Sequence, residues 1–390
     1  MAKVKLSDIA AIITKGTTPT TLGYDYVDEG INFVKIESIT DDGKFITEKF
    51  AHITSECNEK LSRSQLQEND LLFSIAGAIG RTAFVTEDIL PANTNQALAI
   101  IRIPEGVINY FYLKYALQSA DIAAQFEKRK QGVAQLNLSL KDIGNLEIQI
   151  PNPEEQESIV NRMDQINRLI AMRKEQLSKL DELVKARFVE MFENNVFPSE
   201  QLERNVIEMF IGPFGSSLKN EYFVDQQDGF CMVYEQKHAI QKTMDVPTRY
   251  ITQGKYEELK RFVVLPGDII VSCRGTIGES FLVPDDAPMG IMHPSIMKIR
   301  LNKGKYNPCF FLFALNQYML EHNAEAKGSG VKMAVSATVL GQSAFVCPPM
   351  KVQQEFASFV EQTNKTKLTI QQSLDRLEVM KNALMQKYFG

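Results

Sequence analysis

The sequence predicts an α+β protein made of two tandem mixed α/β domains, separated by helices that pair as an antiparallel two-helix coiled coil, with a pseudo-two-fold internal repeat. Three observations carry this reading. Residues 70–85 (DLLFSIAGAIGRTAFV) and 268–283 (DIIVSCRGTIGESFLV) agree at Asp70/Asp268, Ser74/Ser272, Gly77/Gly275, Ile79/Ile277, Gly80/Gly278 and Val85/Val283, far more than the roughly one identity expected by chance. The same offset continues through Arg102/Arg300, Asn109/Asn307, Ala116/Ala314, Leu117/Leu315 and Gly132/Gly330. After a one-residue slip it resumes with Pro151/Pro348, Gln156/Gln353, Leu177/Leu374, Leu180/Leu377 and Phe192/Phe389.

In the first copy, LSDIAAII (6–13) is expected as an opening helix ended by Gly16, followed by the polar loop TKGTTPTT. Strands are expected at INFVKI (31–36), DLLFSIA (70–76), TAFV (82–85), ALAIIRI (97–103) and LEIQI (146–150), and a helix at NYFYLKYAL (109–117). Short apolar runs bounded by Gly, Asn and Pro suit buried strands better than helices. The second copy repeats the order with RFVVL, DIIVSC, SFLV, IMKIRL, the helix CFFLFALNQY and SAFVC.

Each copy closes on a long helix. Asn152 is placed to cap the first, Pro153 suits its first position, and Glu155 can complete a capping box. No Gly or Pro interrupts it as far as Phe192. Alternate steps of four and three visit Ile159, Met163, Ile166, Ile170, Arg173, Leu177, Leu180, Val184, Arg187 and Met191, and in the second helix Phe356, Val360, Thr363, Lys367, Ile370, Leu374, Leu377, Lys381, Leu384 and Tyr388. This is the 3.5-residue repeat of a coiled coil. Pairing within the chain is the expected arrangement and an intermolecular coiled coil the alternative. At 1.5 Å per residue such a helix is about 57 Å long, so it could serve as a rigid spacer between the globular parts.

Composition narrows the function. No apolar run approaches the length of a membrane span and the opening MAKVKLSDIA has no secretory signal, so a cytoplasmic protein is expected. Cys57, Cys231, Cys273, Cys309 and Cys347 lie far apart without zinc spacing, so neither metal nor disulfides are expected. The net charge is −5, with 15 basic against 19 acidic residues in 1–152 and 15 against 17 in 193–350. Bulk charge therefore does not draw this chain to polyanions, and any nucleic-acid contact must come from local patches. There is neither a phosphate-binding G-x-x-x-x-G-K-[ST] loop nor a G-x-G-x-x-G fingerprint, so no cofactor is expected. The four histidines, His52, His238, His293 and His322, form no nucleophile or ligand pattern.

The phrases DLLFSIAGAIG and GDIIVSCRGTIG, the closing IPNPEEQESIV and CPPMKVQQEFASFV, and the helix ends ELVKARFVEMF and NALMQKYF resemble the specificity subunit of type I restriction–modification enzymes over essentially the whole chain. The resemblance implies two target-recognition domains, 1–152 and 193–348, with a central helical region 153–192 and a distal one 349–390. It implies a non-catalytic protein that recognises a bipartite site in double-stranded DNA, one half per domain. Its partners would be methyltransferase subunits, two of them, and restriction subunits that translocate and cut DNA. NPCF (307–310) is similar to the N-P-P-[FY] loop of adenine methyltransferases, but its third residue is Cys and the first copy reads NYFY, so a helix cap at Asn307 is the better account.

Positions common to both copies should build a frame, and polar positions that differ should read different half-sites. Arg81 and Arg274 flank the G-x-I-G phrases, and arginine can grip guanine bidentately. Lys15, Thr17 and Thr18, with Ser216, Ser217 and Lys219 in the second copy, suit phosphate oxygens. Before the last strand, Lys128, Arg129, Lys130, Gln131, Gln135 and Asn137, with Lys327, Ser329 and Lys332 opposite, combine basic anchoring with amide readout. Lys35, Gln236 and Lys237 complete the candidates. Each has the alternative of a solvated surface group, and a protein-binding scaffold remains the competing function.

Overall fold

The computed structural model describes residues 3–127, 137–193, 195–274, 276–329 and 336–390. They divide into two compact units, Met1–Glu175 with Gln371–Gly390, and Gln176–Ile370.

The first unit opens with β1 (Lys3–Lys5), one helical turn α1 (Leu6–Ile9) and β2 (Ile12–Lys15). There follow β3 (Ile31–Val34), β4 (Ala51–Ile53), α2 (Ser55–Lys60), β5 (Leu71–Ser74), β6 (Thr82–Phe84), β7 (Ala92–Thr94) and β8 (Leu98–Arg102). Then come α3 (Tyr110–Leu117), α4 (Ala120–Glu127), α5 (Leu140–Gly144), β9 (Glu147–Gln149) and the start of α6 (Pro153–Phe188). An antiparallel sheet has the order β2-β8-β5-β6, a second has β4-β3-β7 with β3 and β7 parallel, and β1 pairs with β9. The expected helix over 6–13 stops at Ile9. The β-branched Ile12 and Ile13 instead form β2, with Ile13 opposite Ile101 of β8, a packing gain that outweighs the local helical pattern.

The second unit begins in α6 and repeats this plan with β10 (Ser199–Gln201), β11 (Val206–Ile211), β12 (Phe223–Val224), β13 (Cys231–Tyr234), α7 (Gln236–Gln241), β14 (Tyr250–Ile251), α8 (Gln253–Leu259) and β15 (Val263–Val264). β16 (Ile269–Ser272), β17 (Ser280–Leu282), β18 (Gly290–Met292), β19 (Ile296–Leu301), α9 (Pro308–Ser329), α10 (Ala337–Gln342), β20 (Ala344–Val346) and α11 (Met350–Phe389) complete it. The sheet β11-β19-β16-β17 matches β2-β8-β5-β6, and β14-β13-β18, again with one parallel pair, matches β4-β3-β7.

Residues shared by the repeat turn out to be joints. Arg102 grips the buried Asp70 with Nε and Nη2, both at 2.6 Å, and Arg300 grips Asp268 the same way at 2.7 Å. Each aspartate also accepts a backbone N–H, from Gln67 and Leu265 respectively, both at 2.8 Å. Asn109 and Asn307 cap α3 and α9, and the cap's own N–H donates to Oε1 of Gln156 or Gln353 at 2.8 Å. The same glutamines donate back to Pro151 and Pro348 carbonyls at 2.8 and 2.7 Å. The Pro-x-x-x-x-Gln phrase thus ties the start of each long helix to the domain before it. Asn152 caps α6 as expected, accepting from Glu155 N–H at 2.9 Å.

Within each unit the two long helices run antiparallel. In the first, Arg162 donates to the Tyr388 hydroxyl at 2.7 Å and Lys174 stands 3.4 Å from Glu378; in the second, Lys367 pairs with Asp181. The predicted seam is the sheltered face: Ile159, Met163, Ile166, Ile170, Val184, Met191, Phe356 and Leu374 are buried, while Leu177, Leu180, Val360, Ile370, Leu377, Leu384 and Tyr388 are half-buried. Helix ends also plug the domain cores. Ile159, Val160, Met163 and Phe389 close the first, where Phe389 and Tyr112 have ring centroids 5.2 Å apart. Val184, Phe188, Phe192 and Phe356 close the second, where a π-helical turn at Val189–Glu193 turns Met191 and Phe192 inward and Phe192 meets Phe310 at 4.6 Å.

Truncating Phe356, which has no exposed surface, is expected to cost about 3–5 kcal/mol in denaturant unfolding, whereas Val379→Ala, at a side chain 69% exposed, should change stability by less than about 0.5 kcal/mol. Asp268→Asn removes the charge that the Arg300 fork grips and should cost about 1.5–3 kcal/mol by the same measurement.

Candidate nucleic-acid interface

Alternate strands of an antiparallel sheet point the same way, so the loops that follow β2 and β5 leave one edge of their sheet. Lys15 and Phe73 both lie opposite Ala99, which sets loop 16–23 and loop 75–81 about 10 Å apart on either side of the β7–β8 connection. Other contacts draw more segments to this edge. The Thr18 hydroxyl donates to the Gln96 carboxamide, and Leu138 N–H donates to the Ile75 carbonyl at 2.9 Å, bringing Asn137 beside the second loop. Thr94 Oγ1 donates to the Val34 carbonyl at 2.8 Å, which brings in Lys35. Gly16 passes so close to the β7–β8 connection that a Cβ would stand 1.8 Å from the Thr94 oxygen, so no larger residue fits.

The second unit builds the same edge. Ile211 and Val271 both face Met297, so loops 212–222 and 273–279 depart side by side. Gly212 donates to the Ile296 carbonyl at 3.0 Å, and a Cβ on it would lie 2.3 Å from the His293 oxygen. His293 N–H donates to the Tyr234 carbonyl at 2.8 Å, immediately before Glu235, Gln236 and Lys237. The glycine phrase itself is a shared turn: Ser74 and Ser272 N–H groups donate to Arg81 and Glu279 carbonyls, and Gly80 and Gly278 adopt φ of 89° and 88°.

The residues expected to read DNA are placed as follows. Lys15, the last residue of β2, and Thr17 and Thr18 on the first loop are half-buried, Lys35 lies 4.1 Å over the Tyr26 ring, and Asn137 is exposed. Arg81 is turned inward, donating to the Ile39 carbonyl at 2.9 Å and pairing with Asp41. In the second unit Ser216 and Lys219 are exposed, Lys219 standing 3.8 Å from Glu221, and Ser217 is half-buried. Gln236 and Lys237 are half-buried. Arg274 is exposed and has no ion-pair partner among the described residues. Lys327 and Ser329 fall on the last turn of α9. Lys128, Arg129, Lys130, Gln131, Gln135 and Lys332 lie outside the described residues.

The edge also holds groups that the sequence reading passed over. Asn95 and Gln96 occupy the β7–β8 connection, and Phe214, 86% exposed, rises from loop 212–222. The only hint of the former was a polar run, NTNQ, between two short strands. Burial pushes the Glu235 carboxyl up, but hydrogen bonds from Arg249 and Lys237 outweigh it and hold the group below the ordinary carboxylate range. Burial pushes the His238 and His293 imidazoles down, so both are neutral at pH 7. The edge thus carries cations beside paired carboxylates: Glu235 with Arg249 and Lys237, Asp41 with Arg81, Glu221 with Lys219 and Glu279 with Lys242. Among the described residues no trio of His, Cys, Asp or Glu could hold a metal ion, and no helix is long and apolar enough to cross a membrane.

Comparison with known proteins gives a consistent answer. The EcoBI specificity subunit of a type I restriction enzyme from Escherichia coli is 35% identical over 144 residues, which is 36% of this chain and 30% of that protein. The MjaIX specificity subunit from Methanocaldococcus jannaschii is 21% identical over 405 residues, 98% of this chain and 91% of that one. A chain solved in work on complex assembly and conformational transition of the type I R-M system superposes with a TM-score of 0.67 at 16% identity, covering 100% of this chain and 97% of its own length, a likeness of fold. The family described as the type I restriction modification DNA specificity domain matches residues 1–182 and 221–379. With most of its length matched, the chain belongs to the type I restriction–modification specificity subunits.

Proposed function

We propose that each unit reads one half of a bipartite duplex DNA site with the loop edge of its four-stranded sheet, and that the chain carries this reading into a complex with adenine methyltransferase and translocase-nuclease subunits without catalysing a step itself. The observation that carries the reading is the convergence, twice over, of separate loops on one sheet edge around an unchanged frame. The frame residues are common to both copies, while the groups that reach solvent differ. Lys15, Thr17, Thr18, Lys35, Gln96 and Asn137 would meet one half-site, and Ser216, Ser217, Lys219, Gln236, Lys237 and Arg274 the other. Hydroxyls and lysines suit phosphates; the Gln236 amide and the Arg274 guanidinium supply N–H donors that can meet adenine and guanine edges. Arg81, already spent on the Ile39 carbonyl and Asp41, would order its loop rather than touch a base.

Co-expression with methyltransferase partners, followed by mapping of modified adenines, tests this. Replacing residues 193–346 with the matching segment of another specificity subunit should change one half of the methylated sequence only; a change in both halves would refute independent reading. Gln236→Ala should relax one position of the second half-site by about 1–3 kcal/mol, read as methylation of single-base variants. Affinity of the complex for its duplex should fall linearly on a log–log plot against salt, with a slope of about −0.9 per phosphate contacted; a protein-binding scaffold predicts no such dependence.

A further inference from the structure

We propose that Phe214 is a specificity-determining residue of the second domain, its ring packing in the major groove against the 5-methyl group of a thymine; the inference rests on the DNA-reading function above. At 86% exposed, Phe214 is the most exposed aromatic side chain among the described residues. Single exposed apolar groups are ordinary and carry no meaning alone. Three further features give this one a role.

First, it is presented rather than left loose. Gly212 is pinned to Ile296 and pressed against the His293 carbonyl, Pro213 is buried, and the Phe214 carbonyl accepts from Ser217 N–H at 2.8 Å, closing a turn at the ring's base. Second, its place is fixed by strand register. Ile211 and Val271 share Met297 as partner, so Phe214 and Arg274, each three residues further on, stand on neighbouring loops of one sheet edge. Third, its neighbours are small. Gly215, Ser216 and Ser217 let the ring project past them, and their hydroxyls can reach phosphates while the ring reaches bases. The floor of the major groove offers one apolar handle, the thymine methyl. The corresponding residue of the first copy, aligned through Gly16 and Gly212, is Thr18, whose hydroxyl is tied to Gln96, so the aromatic contact belongs to one half-site.

The experiment uses the complex assembled with its methyltransferase partners and fluorescent duplexes bearing the mapped target, in which each thymine in turn is replaced by deoxyuridine. One replacement in the second half-site should weaken binding about fourfold, the weight of one buried methyl group. Phe214→Ala should bind more weakly yet ignore that replacement, Phe214→Leu should retain part of the response, and first-half-site replacements should act equally on all three proteins. Equal thermal unfolding of the variants excludes a folding defect. If wild type and Phe214→Ala respond alike to every uridine, the inference fails while target recognition stands. A Phe214-dependent rise in 2-aminopurine fluorescence would overturn it in favour of a wedge between stacked bases. Absence of site-specific binding by the wild-type complex would instead remove the proposed function itself.

Discussion

Each globular core would be open to water on one face, and each long helix would expose a narrow apolar stripe, if either were taken alone. The fold cancels the two deficits against each other. In the first unit the opening turns of α6 and the closing turns of α11 lie antiparallel and seal the core with Ile159, Met163 and Phe389; in the second the closing turns of α6 and the opening turns of α11 do so with Phe188, Phe192 and Phe356. Neither unit is complete without pieces from two distant stretches of chain. Burial of these side chains is the dominant favourable term, and the salt links along the helices, exposed to solvent, add little to it.

On that foundation the buried polar joints set orientation. A glutamine that both accepts from a helix cap and donates to a proline carbonyl leaves the long helix few ways to tilt against its domain, because turning it would strand two buried polar groups. The Asp70–Arg102 and Asp268–Arg300 forks do the same for the strands they bridge, holding the end of β8 or β19 against the turn that precedes β5 or β16. The geometry is the same in both units while much of the surrounding sequence differs. The second unit inserts a fully buried Lys298, satisfied by Glu208 and the Val263 carbonyl, where the first has Ile100, and its β11 carries a register shift between Val206 and Glu208 that β2 lacks.

A stable frame of this kind separates two demands that would otherwise conflict. The loop edge can exchange polar groups freely, since its side chains contribute little to the core, and the backbone that carries them is set by Gly16, Gly212, Gly80 and Gly278 and by hydrogen bonds between neighbouring loops. The two edges accordingly differ in character. The first presents hydroxyl, amide and lysine groups; the second adds an arginine, an exposed aromatic ring and a carboxylate paired with Arg249 and Lys237. Sequence recognition needs such a surface, ordered before contact and variable in its chemistry.

Much of this was written in the chain's own repeat and periodicity. An interval near 198 residues between matching phrases establishes duplication, and the 3.5-residue stripe identifies the helical faces that must be buried, because both follow from spacing alone. Asn307 and Asn152 were legible as caps for the same reason, that capping is a local interaction. Only tertiary structure could decide that Ile12 and Ile13 join a strand, that Arg81 turns inward to Ile39 and Asp41, and that Gln96, Asn137 and Lys35 share an edge. Those outcomes depend on which strands pair and in what register, and contacts between residues 40 to 90 positions apart leave no periodic trace in a single sequence.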